Sequence, residues 1–97
     1  MTHRFLIMEL DIRLFTPQSL KEKRSVKNAL IDKLKGEFNI SIAETLCQDQ
    51  WQRIGLSLAH VALNERCADR TANLIRKRCD ELLEGEGEVL SFLTDIF

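Results

Sequence analysis

The chain has 97 residues, of which 44% are hydrophobic and 30% charged, with a formal net charge of −1. That length fits one domain with one modest core. The composition excludes a disordered or membrane-spanning chain, and the charge excludes a protein that coats nucleic acid by bulk attraction.

Residues 5–15 alternate, with Leu6, Met8, Leu10, Ile12 and Leu14 on one side and Glu9, Asp11 and Arg13 on the other. Period two over this length predicts a strand with one buried face, and Pro17 ends it. Ser19-Leu20-Lys21-Glu22 then has the form of a capping box, in which serine accepts from the glutamate N–H and the glutamate reaches back. The helix it opens carries Leu20, Val26, Leu30, Ile31, Leu34 and Phe38 on one stripe, and Gly36 lies where it is expected to stop.

Residues 39–45 alternate again, with Ile40 and Ile42 inward and Ser41, Ala43 and Thr45 outward. Gln48-Asp49-Gln50 reads as a turn, and residues 51–63 as the next strand, with Ile54, Leu56 and Leu58 facing the helices. So short a connection makes an antiparallel hairpin. Asn64 is placed to cap a second helix over residues 65–83, whose expected apolar face is Cys67, Thr71, Leu74, Ile75, Cys79 and Leu82. Gly85-Glu86-Gly87 ends it, and residues 89–97 form the last strand.

The order is βαββαβ. Two helices on one face of a four-stranded antiparallel sheet bury both apolar stripes, giving an α+β, ferredoxin-like split sandwich as a single domain over 1–97. The expected core is Leu10, Ile12, Leu30, Leu34, Ile54, Leu56, Leu74 and Ile75.

Two segments resemble a known family. Ser19-Leu20-Lys21-Glu22-Lys23-Arg24 is similar to the signature opening the first helix of the uncharacterised bacterial YlxP-like proteins. Ala43-Glu44, Gln48-Asp49 and Trp51-Gln52-Arg53 resemble that family's second segment at matching spacing, while Leu46 and Cys47 depart from its pattern of a small and a polar turn residue. The resemblance implies a ferredoxin-like fold. It also implies a translation or ribosome-maturation context, since members are often encoded among such genes.

The basic helix start is the leading candidate site. Lys21, Lys23, Arg24 and Lys27 crowd its first two turns, with Lys23 and Lys27 at the edge of the apolar stripe and Lys21 and Arg24 outside. Cations at a helix N-terminus oppose the macrodipole, a conflict that a bound phosphate relieves and that solvation also relieves. Four phosphate contacts on a single strand would give a log–log salt slope of about −3. With Arg53 these residues are the candidates for RNA or anion binding, and Trp51 and Gln52 for a partner surface.

The outward sheet face, read as Ser41, Ala43, Thr45, Gly55, Ser57 and Ala59, is small enough for close approach, so a homodimer or a small-ligand regulatory module through that face is the competing reading. Glu9, Asp11 and Glu44 could gather there as an acid–base or metal cluster, although Arg13 and Arg53 are available as ion-pair partners. His3 and His60 have no metal-ligand spacing, no nucleophile sits beside a base, and no phosphate loop or cofactor motif occurs. Cys47, Cys67 and Cys79 form no CxxC pair, and Cys67 and Cys79 on one helix stand too far apart to bridge. The reading is therefore a cytoplasmic, non-enzymatic binding module without cofactor, contacting RNA or a ribosomal particle and no membrane.

Overall fold

A computed structural model describes residues 2–97. Its elements are β1 (Arg4–Leu14), α1 (Leu20–Glu37), β2 (Ser41–Leu46), β3 (Arg53–Ala62), α2 (Glu65–Leu82) and β4 (Gly87–Ile96). The four strands form one antiparallel sheet in the order β2-β3-β1-β4. Both helices cover one face, so the expected ferredoxin-like arrangement is the one the chain adopts.

The alternation in β1 decides which face is covered. Leu6, Met8, Leu10, Ile12 and Leu14 are all at most 2% exposed and meet Ile54, Leu56 and Leu58 of β3 on the same side. From α1 come Leu30 and Leu34; from α2 come Ala68, Ala72, Ile75 and Cys79. Burial pushes the Cys79 thiol up to about 12, so it stays protonated and packs as an apolar group.

One core assignment changes. Leu74 is 48% exposed, and Ala68 and Ala72 take the positions expected of Thr71 and Leu74. The stripe is rotated because two alanines on a helix face let its backbone lie close to the sheet, whereas leucine would hold it away.

The ends of several elements shift by a residue or two, and three of these shifts have structural causes. α1 runs through Gly36 and is capped at Phe38, whose N–H reaches Leu34 O. Trp51 and Gln52 precede β3 in a bend, although Gln52 O accepts from Leu14 N at 2.8 Å. β2 extends to Leu46 through a bulge, since the register with β3 slips between Glu44 and Leu46. Past the bulge, Cys47 turns the chain with φ +63°, a left-handed conformation uncommon for a residue bearing Cβ. The hairpin thus bends at Leu46 and Cys47.

Candidate functional site: helix start and open sheet face

The helix start folds as its sequence dictates. Ser19 Oγ accepts from Glu22 N at 3.2 Å, and Glu22 Oε2 accepts from Gln18 N at 2.7 Å. The glutamate thus reaches back one residue beyond the cap, to Gln18 N, and already holds a carboxylate against the positive end of the helix dipole.

Lys23 is not at the edge of the stripe but inside it, with no exposed surface. Its Nζ lies 2.6 Å from Glu44 Oε2 and donates to Cys47 O at 2.8 Å and Gln48 O at 3.3 Å. The carboxylate and two carbonyl acceptors together are how a charge this deep is tolerated. Lys23 is thus a bolt between α1 and the β2–β3 turn, and it offers nothing to a phosphate. Lys27 is mostly buried beside it, 3.9 Å from Glu44 Oε1.

The remaining candidates separate by surface. Lys21 and Arg24 are exposed and form no ion pair among the described residues. Arg53 lies on the opposite side of the sheet, where it holds Asp11 through both carboxylate oxygens at 2.6–3.1 Å. The hydrogen bond and charge of Asp11 hold the Arg53 guanidinium above its usual pKa. The five cations expected to act together are therefore divided between two faces.

The expected carboxylate cluster also divides. Glu44 shares its parity with Ile40 and Ile42 and faces the helices, while Glu9 and Asp11 face outward. Of the two arginines expected to compete for them, Arg53 takes Asp11, and Arg13 pairs with Glu88 at 3.8 Å.

The uncovered face is more apolar than its small residues alone suggest. Phe5 stands between Val61 of β3 and Phe97, with which it exchanges both backbone hydrogen bonds at 2.9 Å. Those three side chains form a row from β3 across β1 to the residue just past β4, each at least 45% exposed. Leu93 and Leu46 stand further along, 62% and 64% exposed. Between them a shallow groove of about 300 Å³ is lined by Glu9, Asp11, Arg53, Gly55, Ser57 and Leu93 among others. Trp51, 52% exposed, flanks the end of this face beside Arg13 and Arg53.

The charge of this face is acidic. Glu9, Asp11, Glu88 and Asp95 stand against Arg13 and Arg53, and Glu9 and Asp95 form no ion pair among the described residues. The sequence could have disclosed the apolar row, because Phe5 and Ile7 lie outward by parity. Leu93 and Phe97 were hidden by the bulge in β4, which places Val89 opposite Ile12 and Ser91 opposite Asp11 and leaves Leu90 between them.

These features sit on a chain whose residues 5–92 match a family model described as a protein of unknown function, DUF503. The chain belongs to the DUF503 family. The chain is also 37% identical over 54 residues to the uncharacterized protein YlxP of Bacillus subtilis (strain 168). That match covers 56% of this chain and 59% of the relative's length. A solution NMR structure of a de novo designed protein with a ferredoxin fold superposes with a TM-score of 0.55 at 20% identity, over 99% of this chain and 85% of the other. That likeness concerns the fold alone. No helix in the described residues is long and apolar enough to cross a membrane.

Proposed function

We propose that this family member is a non-enzymatic protein-binding module whose working surface is the open face of the sheet. The observation that carries this reading is the row Val61–Phe5–Phe97, extended by Leu93 and Leu46, set among an excess of carboxylates. Apolar side chains gathered on one uncovered face mark a contact surface more often than isolated exposed ones do. The acidic surround selects the partner: a protein surface that is apolar at its centre and basic around it, with a cation for Glu9.

Charge disfavours the two other occupants. A nucleic acid meets four carboxylates on this face, and of the four cations clustered at the start of α1 only Lys21 and Arg24 remain free to reach phosphates. Two contacts to a single strand give a salt slope of about −1.4 in place of −3, which is weak binding at physiological salt. A second copy of the chain packed face to face would set the same carboxylate excess against itself, so dimerisation through this face is opposed.

Capture from nuclease-treated lysate tests the reading. Leu93→Glu should lose the partner, while a Lys21→Gln, Arg24→Gln double variant should keep it, and capture should weaken as salt rises. Partners lost with the lysine–arginine variant, or with nuclease, would return the function to RNA.

A further inference from the structure

A second surface is carried by different atoms. β4 is the longer edge strand of the sheet, ten residues against six in β2. Because Phe5 and Phe97 exchange both backbone bonds, alternation makes Ile7–Asp95, Glu9–Leu93 and Asp11–Ser91 the bonded pairs with β1. The N–H and C=O groups of Phe92, Thr94 and Ile96 therefore point outward, away from the sheet. The same three residues turn their side chains to the helix side, where α2 overhangs the edge.

Arg76 of α2 lies over that edge without an acid. Its Nη2 donates to Thr94 Oγ1 at 2.7 Å, and its guanidinium carbon sits 5.6 Å from the centre of the Phe92 ring. Nε is shielded from solvent and has no acceptor, and no carboxylate lies within 4 Å of Arg76 among the described residues. A shielded donor with no partner costs free energy that an arriving acceptor recovers.

We infer that the β4 edge accepts an extended segment of a partner protein by strand addition, with an acidic side chain opposite Thr94 that pairs with Arg76. Main-chain bonds to Phe92, Thr94 and Ile96 supply affinity, and the carboxylate fixes the register. A residue bonded opposite Thr94 turns its side chain to the helix side, directly against the guanidinium. Another copy of this chain supplies no free acid there, since the helix-side residues of β4 are Gly87, Val89, Phe92, Thr94 and Ile96, and Glu44 on the helix side of the other edge, β2, is held by Lys23. The bulge at Leu90 ends the run of outward groups, so the strand added is short. This edge is separate from the open face, and either surface stands if the other fails.

The test uses two short blocked peptides of alternating valine and threonine, one with a central glutamate and one with glutamine there. The glutamate peptide should bind the intact chain about tenfold more tightly, a charge-assisted bond replacing a neutral one. Arg76→Gln should erase the preference, and Arg76→Lys should restore part of it. In the free protein the amides of Phe92, Thr94 and Ile96 should exchange quickly and those of Leu93 and Asp95 slowly; the glutamate peptide should protect the first three. Equal affinity for the two peptides, protection at other amides, or self-association that occludes this edge would each overturn the proposal. The peptide comparison on the unmodified chain decides the matter even if the Arg76 variants fail to fold.

Discussion

Lys23 shows how a single side chain redirects the reading of a site. It stands seven residues before Leu30 and eleven before Leu34, on the centre of the stripe those leucines bury. Glu44 likewise shares the inward parity of Ile42. Both placements were legible from spacing. What obscured them is that a lysine or glutamate is seldom fully buried, so charge argued for solvent where periodicity argued for the core. Only the adjacency of α1 to the β2–β3 turn lets each neutralise the other. Removing one member leaves an uncompensated charge, so Lys23→Met should destabilise the chain by about 3–5 kcal/mol. The double variant with Glu44→Leu should recover most of that loss, because two apolar groups of similar volume need no partner. Urea denaturation of the single and double variants measures both, and a single variant as stable as the parent would mean that Lys23 is not the bolt described.

At the level of elements, period and capping predicted what formed, and packing decided where. All six elements were visible in the alternation of β1, the stripe of α1 and the caps at Ser19 and Asn64, the last accepting from Cys67 N at 2.9 Å. The rotation of α2 was not, because alanine carries too little hydrophobic signal to outweigh Leu74 in a periodic pattern, though its small volume is what brings the helix close. The β2–β3 bulge was hidden for a similar reason: one inserted residue leaves the flanking alternation intact. Its requirement is nevertheless written at Gly55, where an added Cβ would stand 2.6 Å from Leu46 Cβ and 3.0 Å from Leu46 O. Gly55→Ala should therefore push β2 away at the bulge and lower stability by about 1–3 kcal/mol, read as a fall in the urea midpoint. An unchanged midpoint would show that the hairpin closes less tightly than this geometry requires.

At the scale of the whole molecule, the fold was legible and the proposed working surface was only partly so. A covered face and an uncovered face follow directly from two amphipathic helices and four strands. Which face carries function depends on where charges end up, and the basic run at residues 21–27 reads in sequence as one cluster. Folding buries Lys23, covers most of Lys27 and sends Arg53 to the other side of the sheet. The same folding gathers Phe5, Val61 and Phe97, residues far apart in the chain, into one row. Long-range pairing of this kind has no signature in local spacing.

The claim that the open sheet face binds the partner is tested most directly by methyl NMR of the captured complex. The methyl resonances of Ile7, Leu46, Val61 and Leu93 should shift or broaden on binding, while those of Leu30 and Leu34, on the buried side of α1, should stay in place. Perturbation centred on α1 and the side chains of Lys21 and Arg24, with Val61 and Leu93 unmoved, would contradict it.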